Sequence, residues 1–310
     1  MSTLKKIFFF TLFIFLFGCV DKKDFDLNDL KDLNFSINGR VVSFPKSAVS
    51  SNENCDMIFI SIDFIDKGRI GHRIDLNLTK HGDLKEVFYA VTDYASNNDF
   101  NRSKTKTYLS LNFYPVSTFG ITNFSYNYDL GKLSFDFEGR LFEEFNYADF
   151  TELSGSISLQ NIEKNPCSFI PHRLEYRSEN FNFISIDSHT IGFSNGLQNH
   201  WFSSNNGYRI LFTTSHDLWN SQLGQIYFDE TTQADYVKLK KYIGPFLADQ
   251  RKVINSDEWY TYESTGIIII EKLYIENKRK VMEGRIDFLA KSNDLVIHEV
   301  RGMKFRITDH

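Results

Sequence analysis

Gly192-Phe193-Ser194-Asn195-Gly196 satisfies G-x-S-x-G, the pattern that sets a nucleophilic serine on a sharp strand-to-helix elbow. The run that follows, LQNHWFSSNNG, is polar and carries no helical period, so the stretch reads as a turn rich in glycine and asparagine. Ser215-His216-Asp217 gathers the residue types of a catalytic triad, yet consecutive strand residues point to opposite faces and cannot serve one another. The 8 histidines show neither H-x-x-x-H nor H-E-x-x-H spacing, and no metal or cofactor is expected. No catalytic constellation emerges from these residues, so the expectation is a protein without catalysis.

Other residues could do the chemistry of recognition. All 3 tryptophans, Trp201, Trp219 and Trp259, lie in polar stretches, QNHWFSSNNG, SHDLWNSQ and SDEWYTYES. Aromatic rings among Asn, Ser and Asp suit a sugar or peptide platform, and they equally suit the edge of a core. These three are the ligand-binding candidates. The 3 cysteines are Cys19, Cys55 and Cys167, of which Cys55 and Cys167 are the disulfide candidates. Bridged, they would close a long loop and contribute about 2 to 5 kcal/mol.

The elements that must hold these residues are mostly strands. Ile58, Ile60, Ile62 and Phe64 alternate with Phe59, Ser61 and Asp63, and Leu133, Phe135 and Phe137 alternate with Ser134, Asp136 and Glu138, the period of half-buried strands. Asn38-Gly39 is a strong signal for a two-residue hairpin, and Asp187-Ser188 is a weaker one. Two helices are expected. One starts at Asp83, capped with Glu86 and carrying Leu84, Val87, Phe88, Val91 and Tyr94 on one face; the other starts at Thr232, with Tyr236, Leu239 and Ile243 as its stripe.

The chain also carries matching segments at a nearly constant offset. Ile37 to Phe44 answers Ile186 to Phe193 at 149, Ile58 onward answers Tyr208 onward at 150, and EGRL at Glu138 answers EGRI at Glu283 at 145. A repeat of that length makes each copy a domain with its own core. The expected fold class is mainly β, with two tandem, similar β-sandwich or partly open barrel domains, each with one helix.

Composition and the N-terminus bound the setting. Hydrophobic residues at 42% and charged residues at 24% are globular values, and a net charge of −5 without a basic cluster makes nucleic acid a poor partner. Lys5 and Lys6 precede 11 apolar or near-apolar residues, Ile7 to Phe17, whereas a spanning helix needs roughly 17 to 25. Leu16-Phe17-Gly18-Cys19 follows and resembles the bacterial lipobox, which implies acylation of Cys19 and cleavage before it. Acyl chains at about 0.8 kcal/mol per buried CH₂ would then hold the protein to a membrane. The acidic-basic run after Cys19 resembles the export signals of surface-exposed lipoproteins.

With its EGRL…LSGSISL hairpin, the chain as a whole resembles the β-rich lipoproteins of Gram-negative bacteria. The lipobox implies a signal peptide over residues 1–18, and the charged run and the repeat offset then give an acidic tether over 19–33, a first β domain over 34–168, a linker over 169–178 and a second β domain over 179–310. The resemblance implies a cell-envelope protein anchored to the outer membrane, periplasmic or surface-exposed, that binds a glycan, peptide or protein ligand. The alternatives are an exported esterase-like hydrolase using Ser194, or an inhibitor or immunity-type partner protein.

Overall fold

Strict alternation of apolar and polar residues drives the chain into strands from Leu30 to Thr308, and the result is a mainly β protein. The structure is a computed structural model that describes residues 30–94, 104–110, 118–143, 146–166, 172–204, 206–245 and 256–309. Its strands run β1 (Leu30–Ile37), β2 (Arg40–Val41), β3 (Val49–Asn54), β4 (Met57–Ile65), β5 (Ile70–Thr79), β6 (Leu84–Asp93), β7 (Lys104–Leu109), β8 (Phe119–Asn127), β9 (Lys132–Glu143), β10 (Asn146–Leu159) and β11 (Glu163–Asn165). They continue as β12 (Arg173–Tyr176), β13 (Phe183–Ser194), β14 (Leu197–Ser204), β15 (Tyr208–Ser215), β16 (Gly224–Phe228), β17 (Tyr236–Tyr242), β18 (Trp259–Thr261), β19 (Glu263–Glu276), β20 (Arg279–Ser292) and β21 (Leu295–Thr308).

These strands form two sheets, one of them curled into a half-barrel. The first takes β1 to β11 in the order β11-β3-β4-β5-β6-β7-β9-β10-β1-β2, with β8 beside β9. The second takes β12 to β21 in the order β16-β19-β20-β21-β12-β13-β14-β15-β17-β18. In both, a long antiparallel hairpin (β9-β10, β20-β21) pairs through its second strand with the first strand of its own sheet (β1, β12). In both, a meander follows (β3 to β7; β13, β14, β15, β17, β18).

Each sheet wraps its own core. Ile58, Ile60 and Ile62 on β4, Ile74, Leu76 and Leu78 on β5, and Phe135 and Phe137 on β9 face one cluster. Phe202, Ile210, Phe212, Ile286, Met303 and Phe305 face the other. At about 1.5 to 3 kcal/mol for each large apolar side chain buried, these two inner faces dominate the stability.

Neither expected helix is present, and among the described residues there is no α-helix. The segment from Asp83 is β6 and that from Thr232 leads into β17. In LKEVFYAVTDY both faces carry apolar residues, so helical and strand periods fit equally. The β-branched and aromatic content then decides for strand, with Val87 and Tyr89 buried inward. The apparent capping residue Asp83 instead closes the β5–β6 hairpin: its N–H donates to Thr79 Oγ1 at 3.0 Å and Thr79 Oγ1 donates to its carboxylate at 2.6 Å. Thr232 belongs to a turn on Asp229, where its hydroxyl donates to Oδ1 at 3.0 Å.

The Asn38-Gly39 hairpin forms as expected, with φ of +50° and +73° joining β1 to β2. Asp187-Ser188 does not turn but lies inside β13, and the hairpin comes instead at Asn195-Gly196, with φ of +53° and +77°. The expected tether and linker are shorter than drawn, because β1 begins at Leu30 with Leu33 packed on the core and β12 begins at Arg173 with Leu174 buried. Of the matched segments, EGRL and EGRI sit in β9 and β20, each the first strand of the long hairpin and in that respect equivalently placed. Ile58 onward and Tyr208 onward do not: β4 and β15 differ by one strand in the meander.

The two sheets meet at a polar seam. Arg173 lies 3.5 Å from Asp56, Arg177 pairs with Asp83, and burial pushes the Lys85 ammonium down in pKa while Glu175 opposes that shift.

Candidate functional site

The outward-facing positions of the second meander form two cross-strand rows. The first runs His189, Trp201, Leu211, Lys238, and the second runs Asp187, Ser203, Arg209, Lys240, Thr261. Strand alternation explains the placement: Gln198, His200 and Phe202 on β14, Ile210 and Phe212 on β15, and Val237 and Leu239 on β17 turn into the core and put these residues on the opposite face, where Leu211 and Ser203 are themselves buried.

The site centres on Arg209. Its guanidinium lies 4.2 Å from the Trp259 ring centroid and 6.0 Å from that of Trp201. Its Nε donates to Ser203 Oγ at 3.1 Å. The Lys240 ammonium stands 5.0 Å from the Trp201 ring, and Lys238 stands 4.7 Å from that of Tyr236. His189 stacks on Trp201 at 6.2 Å and 12°. Burial lowers the pKa of Arg209, with Asp187 opposing. Burial also lowers that of Lys240, aided by the like charges of Arg209 and Lys238. His189 is likewise lowered by burial, while Asp187 raises it.

The three tryptophans therefore part company. Trp201 is half-buried on the outer face, and Trp259, at 7% exposure, backs Arg209 and meets Tyr242 edge-on at 5.5 Å. Trp219 is a core residue at 3% exposure, tucked inward by the 3₁₀ turn Leu218–Asn220, with its Nε1 donating to Thr214 Oγ1 at 3.1 Å. It offers no platform. Sequence reasoning missed Arg209, Lys238, Lys240 and His189, whose signal was their common parity on adjacent strands.

No protein-family model, no curated protein and no solved structure matches the chain.

The serine pattern lies on a β-hairpin and not on an elbow: Ser194 ends β13 and pairs with Leu197 across the Asn195-Gly196 turn. Leu197 pairs in turn with Ser215, which ends β15, whereas His298 bonds Tyr208 at 3.2 Å, at the start of β15. At about 3.3 Å per residue, most of the length of β15 separates the two. Ser215 is occupied with Asp235, to which its N–H and hydroxyl donate at 2.6 and 2.9 Å. Among the described residues no group of three or more His, Cys, Asp or Glu is placed to hold a metal ion, and no helix is long and apolar enough to cross a membrane.

Cys19 and Cys167 lie outside the described residues. Cys55 sits in the β3–β4 turn with φ of +56° and is disulfide-bonded.

Proposed function

We propose that the protein is an envelope lipoprotein, acylated at Cys19, that holds a glycan, peptide or protein ligand on the outer face of its second sheet without transforming it. The carrying observation is the stack in which Arg209 lies between Trp201 and Trp259 with Lys240 over the Trp201 ring. Side chains fixed by ring contacts and ladder neighbours form a preorganised surface, which lowers the entropy lost on binding. We read the two sheets as tandem, similar domains, over 34–168 and 179–310, because in each a long hairpin pairs through its second strand with the first strand of its sheet. We read Cys167 as the partner of Cys55, because Asn165 pairs in parallel register with Asn54, the residue before Cys55.

The test is a glycan-array and peptide-array screen of the full-length chain in detergent. A ligand whose binding falls roughly tenfold or more with Trp201→Ala supports the reading, that being the loss expected for an aromatic anchor. Binding that is indifferent to Trp201→Ala and Arg209→Ala overturns it.

A further inference from the structure

The two long hairpins carry the same acid in different company. Glu138 on β9 and Glu283 on β20 both point away from their cores, because Phe137 and Met282 beside them turn inward. Glu283 is paired across the ladder with Lys272 on β19 and Arg306 on β21, and Arg306 in turn with Arg173 on β12. The neighbours of Glu283 close over it: Lys272 Nζ lies 3.2 Å from the carboxylate and Arg306 Nε 3.4 Å, and the Tyr274 hydroxyl donates to it at 2.8 Å. Glu138 is paired instead with Gly120 on β8 and Ser154 on β10, and Ser154 with Ser36 on β1. Thr122 follows Gly120 on its strand as Tyr274 follows Lys272.

Large side chains around one acid are therefore small ones around the other. Gly120, Thr122, Ser154 and Ser36 line an open groove of about 690 Å³ together with Glu138. Arg140 borders the groove as well, but it is committed to Glu152 at 2.9 Å and to the Phe150 ring at 4.7 Å. Among the described residues the Glu138 carboxylate has neither a hydrogen bond nor an ion pair. An exposed acid without a partner is ordinary on a protein surface. This one stands in a groove shaped by small residues, at the place where the equivalent acid is covered by cations of its own chain.

The cations that complete Glu283 are side chains of extended strands, so the matching group for Glu138 is a basic side chain on an extended peptide. The hydroxyls of Ser36, Thr122 and Ser154 can accept the N–H groups that the carboxylate leaves over. Val41, opposite Ser36 on β2, is 79% exposed and offers an apolar contact to a residue flanking the basic one. We propose that this groove of the first sheet binds an extended peptide through an arginine or lysine side chain set on Glu138, at a site separate from the Trp201 face and independent of it.

The test titrates the full-length chain in detergent with a blocked valine-threonine nonapeptide carrying a central arginine, with its lysine and citrulline versions, and with a chitosan hexasaccharide. The expected result is that the arginine or lysine peptide binds roughly tenfold or more tighter than the citrulline peptide, and that Glu138→Gln removes the difference. Asp63→Asn, which removes an exposed acid of β4 outside the groove, should leave the preference intact. Gly120→Lys restores the arrangement seen at Lys272, and no atom lies within 4 Å of the Cβ it adds, so this variant should keep the wild-type Tm and lose the peptide. Equal binding of the citrulline and basic peptides overturns the inference. So does a preference that survives Glu138→Gln or Gly120→Lys, or one that falls equally with Asp63→Asn and so reflects net charge alone. Tighter, Glu138-dependent binding of the chitosan hexasaccharide overturns it in favour of an amino sugar. Failure of all four probes overturns it too and leaves the role of the Trp201 face standing.

Discussion

The guanidinium of Arg209 lies 4.2 Å from the ring centroid of Trp259, and that contact ties the edge strand β18 to the middle of the meander. It explains why Trp259 is buried although it sits near an edge. Arg209 is held by that ring and by Ser203 with no carboxylate paired to it, so the site keeps its positive charge for an outside group.

Acid should destabilise the fold through its buried histidines. Burial lowers the pKa of His72, His189 and His298 from 6.5, with Lys241 adding to the effect at His298. Because the folded values lie below the unfolded ones, the unfolded chain takes up protons first as pH falls. The stabilisation is complete above about 6.5 and is lost as pH falls through the folded values. His298 is enclosed by Phe181 at 4.6 Å, Tyr208 at 5.3 Å and Tyr262 at 5.7 Å. Thermal melts between about pH 7 and pH 5 should therefore show a smaller fall in Tm for His298→Phe than for the wild type. Parallel curves would show that His298 does not contribute.

Gln198 should be a stability defect. It is 0% exposed, and neither its Nε2 nor its Oε1 has a hydrogen-bond partner. A buried unpaired amide costs about 1 to 3 kcal/mol, and methionine has a similar shape without the polar atoms. Gln198→Met should raise the unfolding free energy by an amount in that range, read as a higher denaturant midpoint at unchanged m. A lower midpoint would mean that the amide is satisfied in solution.

The disulfide can be counted directly. If Cys55 pairs with Cys167, unreduced protein denatured in a thiol-reactive label should show neither cysteine labelled, and Cys167→Ser should free Cys55. Labelling of both in the unreduced wild type contradicts the pairing.

The anchor is tested by Cys19→Ser. The variant should leave the membrane fraction or keep its leader, and it should lose incorporation of labelled fatty acid. Unchanged fractionation with normal labelling contradicts acylation at Cys19.

Much of the fold can be read from period and turn chemistry. Ile58 to Phe64 alternates cleanly and forms β4, and Asn38-Gly39 turns where its two left-handed residues allow. The helix expectations failed where both faces of a strand are apolar, as at Phe88 and Tyr89, because period alone cannot then separate the two structures. The same error hid half the site. Read as helical, VKLKKY scatters its lysines; as β17 it sets Lys238 and Lys240 on one face beside Arg209. Trp201 was legible from its polar neighbours. Trp219 misled for the same reason, because its polar flanks belong to a tight turn that points the ring inward.

The central claim is that ligand binds on the outer face of β14, β15 and β17, and lysine footprinting locates it most directly. The full-length chain is acetylated with and without a saturating concentration of the tightest array ligand, and each lysine is quantified by mass spectrometry. The account predicts strong protection of Lys238 and Lys240 and no change at Lys272, which is paired with Glu283 at 3.2 Å. Protection confined to lysines of the first sheet, such as Lys80 or Lys106, with Lys238 and Lys240 unchanged, would contradict it.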